Sequence, residues 1–151
     1  MIAIIAEKPS VGQEIARVVG ATEKKDGYIT GNGYMVTWAL GHLVSLALPG
    51  TYGYTRTTAE DLPMLPEPFR LVERQIRTDR GMVTDIAAGR QLKVIDGVFS
   101  ECDSIIVATD AGREGELIFR WIYSHLGCTK LFKRLWFSSL TDEAIRKGMA
   151  D

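Results

Sequence analysis

Two acidic positions in this 151-residue chain stand directly behind uninterrupted apolar runs, and they are the side chains best placed to do chemistry. Glu7 follows Ile2-Ala3-Ile4-Ile5-Ala6, and Asp110 follows Ser104-Ile105-Ile106-Val107-Ala108-Thr109. Runs without polar alternation are the pattern of strands buried on both faces. A parallel sheet delivers whatever follows such strands to one edge, so Glu7 and Asp110 are expected close enough to share one cation. The second loop continues as Asp110-Ala111-Gly112-Arg113-Glu114-Gly115-Glu116, which adds two more carboxylates. Oxygen donors gathered in this way suit a hard divalent ion such as Mg²⁺, which keeps several waters and needs few protein ligands. The same residues also have a structural use, because Asp110 could cap a helix whose positive end favours Glu114 and Glu116. Three acids and Arg113 beside Glu7 weigh toward a site.

The elements that would position these groups are legible in outline. Glu7-Lys8-Pro9-Ser10 ends the first apolar run, Ser10 suits a helix N-cap, and Val11, Ile15, Val18 and Val19 recur at helical spacing up to Gly20. Tyr28 to Leu40 carries Gly31-Asn32-Gly33 between β-rich stretches, predicting a hairpin that decorates the sheet. Pro49 to Pro68 reads as a long surface loop, and Arg70 to Lys93 as a weakly periodic helix. Behind Asp110, Leu117, Ile118, Trp121, Ile122 and Leu126 mark an amphipathic helix closed by Gly127. Arg134 to Ser138 predicts a third strand, and Thr141-Asp142-Glu143 the acidic start of a last helix. Repeated strand-loop-helix units specify an α/β fold, a mostly parallel sheet flanked by helices, in one domain over 1–151. Trp38, Trp121 and Trp136 all fall inside these elements and are expected in the core.

Composition narrows the functional classes. A net charge of −1 gives no overall attraction to nucleic acid, so any such contact must come from local clusters such as Lys130, Lys133 and Arg134. Cys102 and Cys128 lack zinc or disulfide spacing and read as thiols in a reducing cytoplasm. The six apolar residues before Glu7 are too few for a signal sequence or a membrane span. Neither GxGxxG nor GxxxxGK[ST] is present to cradle a nucleotide.

Taken in order, Ala6-Glu7-Lys8-Pro9-Ser10-Val11 and Ala108-Thr109-Asp110-Ala111-Gly112-Arg113-Glu114-Gly115-Glu116 resemble the motifs of type IA topoisomerases. Val36 to Leu43, Glu60 to Glu67 and Lys133 to Ser139 are similar to the bacterial topoisomerase III branch, so the resemblance covers nearly the whole chain. It implies a Toprim fold, Rossmann-like, with an inserted hairpin and long loop. It places Glu7 beside the scissile phosphodiester, as a metal ligand or as proton donor to the departing 3′-oxygen. Lys8 would hold the scissile phosphate, and Arg113 would meet a phosphate or pair with the acids. Mg²⁺ would be held by Glu7, Asp110 and Glu114, with Glu116 a further candidate. The family's Asp-x-Asp-x-Glu motif has Gly112 here at its second acid, in a form similar to one branch of bacterial topoisomerase III. DNA would be met by Lys8, by His42 in a Gly-His element and by Arg56 in the long loop, although His42 also suits a structural role and Arg56 plain exposure. None of Tyr28, Tyr34, Tyr52, Tyr54 and Tyr123 lies in the family's nucleophile context, so the resemblance implies a longer protein. Residues from about 140 onward would lead into a further domain, and the chain alone is not expected to relax DNA. A stand-alone Toprim nuclease or primase-like enzyme, and a noncatalytic DNA-binding module, are the alternatives.

Overall fold

The computed structural model describes residues 1–46, 71–79, 81–109, 112–136 and 141–150. Its centre is a six-stranded sheet in which four strands run parallel. β1 (Ile2–Ala6) lies between β4 (Tyr34–Trp38) and β9 (Ser104–Ala108), and β10 (Leu131–Arg134) pairs with the outer side of β9. β3 (Tyr28–Gly31) and β2 (Glu23–Lys25) extend the other side by antiparallel pairing.

Burial on both faces follows the apolar runs. Ala3, Ile5, Met35, Ile105 and Val107 share one cluster with Leu92, Ile95 and Phe99 of α2 (Ile86–Glu101) and Ile118, Phe119 and Ile122 of α3 (Arg113–His125). Ile4, Ala6, Val36 and Ala108 share the other with Val11, Ile15 and Ala16 of α1 (Pro9–Val19) and Ile145 of α4 (Asp142–Ala150). Consecutive residues of β1 thus alternate between the two clusters, as the twofold repeat of a strand requires. Arg17 clamps α1 to α4 by donating to Asp142, 3.0 Å away.

Four expectations need correction. The hairpin closed by Gly31-Asn32-Gly33 forms, with Asn32 at φ 51°, but it is no decoration: its second strand is β4, the neighbour of β1, with Met35, Val36 and Thr37 all buried. The predicted helix from Arg70 is instead β6 (Leu71–Glu73), which pairs with β5 (Val44–Leu46), followed by a hairpin of β7 (Gln75–Thr78) and β8 (Gly81–Thr84). Helix begins only at Ile86, behind Asp85, whose side chain accepts the Ala87 N–H at 3.1 Å. The N-cap of α1 is Lys8 rather than Ser10, because Pro9 has φ preset for the first helical turn and no N–H to lose there. The last strand ends at Arg134; Leu135 turns into the α1–α4 cluster and Trp136 is 66% exposed rather than in the core. The long proline-rich loop lies outside the described residues, as does all of Trp136's continuation through 137–140.

Among the described residues no helix is long and apolar enough to cross a membrane. Cys102 is buried, and burial raises its thiol above the ordinary range; Cys128 is half-buried, and both are free.

Candidate functional site

The parallel register sets the site. Ala6 is paired with Trp38 on one side and Ala108 on the other, so the loops leaving β1, β4 and β9 emerge at one sheet edge. Hydrogen bonds continue past the strands: Ala39 N–H donates to the Ala6 carbonyl at 2.9 Å, and Gly41 N–H to the Glu7 carbonyl at 3.5 Å. Glu7 is half-buried, whereas Lys8 is exposed and makes no ion pair with another described residue. Lys8 is in extended backbone, φ −151°, so the chain turns from strand to helix with only Glu7 and Lys8 between Ala6 and Pro9.

The third participant comes from α3. Gly112 caps this helix with backbone alone, and Arg113, Glu114 and Glu116 occupy its first turn. Glu114 Oε2 lies 2.6 Å from His42 Nε2. The Gly-His step beside Glu7 therefore touches the acidic helix start directly, and Gly41, at φ 72°, supplies the left-handed turn that swings His42 across. The imidazole also leans on Trp121, ring centroids 5.8 Å apart, and its buried Nδ1 has no hydrogen-bond partner among the described residues.

Sequence reasoning missed the group that holds this loop. Arg74 donates from Nη1 to the Leu40 carbonyl at 2.6 Å and the His42 carbonyl at 3.3 Å, and from Nε to Asp85 Oδ2 at 2.9 Å. Its own N–H donates to the Leu43 carbonyl at 2.7 Å. Asp85 is at once the cap of α2 and the anchor of this guanidinium. Burial works against ionisation of Asp85, but the Arg74 hydrogen bond and charge, with the Ala87 and Ala88 N–H groups, outweigh it and hold the carboxyl below its ordinary value.

The two glutamates of α3 have separate surroundings. Glu114 is exposed and meets His42, while Glu116 is taken up by two cations: Arg120 donates to Oε1 at 2.8 Å, and Arg134 is in close contact with Oε2. The Arg120 hydrogen bond, together with Arg134, keeps the Glu116 carboxyl below its ordinary value despite partial burial. Arg113 is exposed and has no hydrogen bond or ion pair with another described residue. Asp110 and Arg56 lie outside the described residues. Among the described residues no group of three or more His, Cys, Asp and Glu side chains could hold a metal ion. Glu116 has its oxygens already engaged by arginines, whereas Glu114 meets only His42 among the described residues.

The basic patch divides along similar lines. Lys130 donates to the Cys102 carbonyl at 2.7 Å behind the end of α2, and Arg134 to the Thr109 carbonyl at 2.8 Å, so both are structural; Lys133 is exposed. His125 is half-buried, and the Tyr123 hydroxyl donates to the Lys130 carbonyl.

The profile of the Toprim domain matches residues 2–140. The chain belongs to the Toprim family. Among curated proteins it is similar to DNA topoisomerase 3 of Bacillus licheniformis, 46% identical over 149 residues, and of Bacillus subtilis, 45% identical over 149 residues. DNA topoisomerase 3 of Bacillus thuringiensis strain Al Hakam is 47% identical over 153 residues. Each alignment takes in 96% or more of this chain and 19% of the relative, so this Toprim chain spans about a fifth of the length of those proteins. Full-length topoisomerase I of Thermotoga maritima shares the fold, with a TM-score of 0.59 at 18% identity over 98% of this chain and 20% of that one.

Proposed function

We propose that this chain is the Toprim part of a bacterial type IA DNA topoisomerase of the topoisomerase III kind. The observation that carries the reading is its similarity, at 45 to 47% identity over nearly its full length, to proteins named DNA topoisomerase 3. The exit of β1, β4 and β9 at one sheet edge, with the His42–Glu114 contact there, supports it. The whole enzyme would cut one DNA strand without ATP, hold it as a 5′-phosphotyrosine, pass another strand and reseal. Its tyrosine is assigned to the remainder of the longer protein. A DNA substrate would place that enzyme in the cytoplasm.

Within this reading Glu7 flanks the scissile phosphodiester and protonates the departing 3′-oxygen, or binds a cation. Lys8 meets the scissile phosphate as a compact point charge, a use its exposed ammonium suits. Arg113, free of partners among the described residues, offers a planar fork to a phosphate. Glu7, Asp110 and Glu114 would hold Mg²⁺, with Glu116 the weakest candidate because Arg120 and Arg134 occupy it. Bound there, the ion would offset negative charge developing on the phosphate oxygens.

The deciding experiment uses the gene product that contains this chain. Incubated with single-stranded DNA and Mg²⁺ and then denatured, it should retain a 3′-end label on protein, and Glu7→Gln should abolish that adduct. Nicking of supercoiled plasmid by the 151-residue chain alone would favour a stand-alone nuclease instead. A DNA-binding module without catalysis would show neither, and its calorimetric Mg²⁺ binding would be indifferent to Asp110→Ala.

A further inference from the structure

The acidic turn between β9 and α3 is tied at both ends by two side chains that the proposed chemistry does not use. Thr109, the residue before Asp110, is 1% exposed, and its hydroxyl donates to the Gly115 carbonyl at 2.9 Å. Arg134 ends β10 and is paired in register with Val107 of β9. Its Nη1 donates to the Thr109 carbonyl at 2.8 Å, its Nη2 meets Glu116 Oε2, and both nitrogens lie 3.5 Å from the Thr109 hydroxyl. One guanidinium, 12% exposed, thereby joins the strand that enters the turn to the helix that leaves it.

We infer that Thr109 and Arg134 are positioning residues: they latch the turn so that Glu114 is presented toward His42, with Glu116 the anchor of the latch rather than a ligand. Gly112 caps α3 with backbone alone, so no side chain at the cap itself fixes the helix start. At about 100° per residue, Glu114 and Glu116 project about 200° apart around α3, so the side that turns Glu114 to His42 turns Glu116 to β10. Arg120 takes the other Glu116 oxygen at 2.8 Å, which commits both to arginines. Packing alone would not call for a hydroxyl at Thr109, because valine has nearly the same shape and a buried polar group is costly unless it is bonded. The inference rests on the reading of this edge as a DNA-cleaving site, and its test separates the two.

Thr109→Val removes the hydroxyl at nearly constant volume and, at a buried position, alters no contact with DNA. In the 151-residue chain, amide hydrogen exchange followed by NMR should accelerate about 2- to 10-fold at the Glu116 N–H, which donates to the Gly112 carbonyl, the range for one lost hydrogen bond. Amides of β1 and α2 should keep their wild-type rates. In the whole gene product, adduct formation at saturating single-stranded DNA should slow by about 10- to 100-fold, the usual loss when a group that orients the acting side chains is removed. The DNA concentration at half-saturation should not change. Thr109→Ser keeps the hydroxyl and should keep most of the rate. Arg134→Lys should recover only part of the loss in Arg134→Ala, because an ammonium cannot bridge carbonyl and carboxylate as a fork. Glu116→Gln weakens the anchor without entering the core, so it should give the same local exchange signature and serves if Thr109→Val does not fold. Unchanged exchange at Glu116 would overturn the latch. So would acceleration spread evenly over the chain, a Thr109→Ser as slow as Thr109→Val, or an effect confined to half-saturation. A wild-type gene product that forms no adduct sinks the topoisomerase reading, and the exchange result still decides the latch. An adduct formed at full rate by Thr109→Val does the reverse.

Discussion

His42 Nε2 and Glu114 Oε2 lie 2.6 Å apart, although 72 residues of chain separate them. The contact joins the loop behind β4 to the first turn of α3, and the Gly41 N–H joins the same loop to the Glu7 carbonyl. Its energetic value is small, since the two side chains are 37% and 76% exposed and such pairs contribute little in water. Its value is directional: the imidazole fixes one oxygen of a carboxylate that has no other partner among the described residues.

His42→Ala should therefore leave the thermal midpoint nearly unchanged while weakening Mg²⁺ binding by about tenfold, the lower end for loss of a group that orients a ligand. Calorimetric titration of both proteins checks this. Equal affinities would mean that Glu114 either holds no metal or needs no orientation.

Arg74 makes the opposite kind of contribution. It satisfies the Leu40 and His42 carbonyls and the Asp85 carboxylate together, in a partly buried setting with 31% of its side chain exposed. Arg74→Ala strands those acceptors and should cost about 1–3 kcal/mol. Arg74→Lys should recover only part of it, because an ammonium cannot reproduce the planar fork. Urea unfolding gives the stability. The loosened His42 loop should also reproduce the metal-binding defect of His42→Ala, which a purely structural arginine far from the site would not.

What the chain reveals before folding depends on how local each signal is. The runs Ile2–Ala6 and Ser104–Ala108 announce buried strands because no polar residue interrupts them, and the parallel pairing of Ala6 with Ala108 follows. The β7–β8 hairpin escaped because even its apolar Ile76 and Val83 are exposed, so it has no buried face to set an alternating pattern. Trp136 was expected in the core from its strand-like neighbours, yet pairing stops at Arg134 and Leu135 takes the buried position. Arg74 is one basic residue among several, and nothing in its surroundings shows that it will reach carbonyls 32 and 34 positions away. Glu116 ranks below Glu114 as a candidate ligand in sequence, but without a partner to explain the difference. Arg120, one turn along the helix, and Arg134, from β10, separate their roles.

That separation should be visible in the acid limb of stability. The folded value of the Glu116 carboxyl lies below its unfolded reference of 4.5, so its contribution is full above that pH and is lost as pH falls through the folded value. Asp85 and Asp142, lowered from 3.8, act in the same direction at slightly lower pH. Glu116→Gln should be less stable than the wild type at neutral pH and converge with it below about pH 4, flattening the slope. Urea midpoints measured across about pH 3 to 6 decide it; parallel curves would show that the arginine pairing is energetically idle.

Two helical glycines should respond to alanine with opposite signs. Gly97 of α2 is exposed, and a Cβ built there meets nothing within 4 Å. Alanine should gain helix propensity at no steric expense and stabilise by up to about 1 kcal/mol. Gly12 of α1 is buried, and a Cβ there would fall 2.7 Å from Trp38 Cε3. The same propensity gain of about 1 kcal/mol then competes with overpacking of about 1–3 kcal/mol or more, because the ring is carried by β4, the strand beside β1. Overpacking should win, making Gly12→Ala the less stable protein in urea. Since α1 begins immediately behind Glu7, pushing the helix off Trp38 should also shift Lys8 and reduce adduct formation by the whole gene product. Stabilisation by Gly12→Ala would mean that α1 rides farther from β4 than the structure places it.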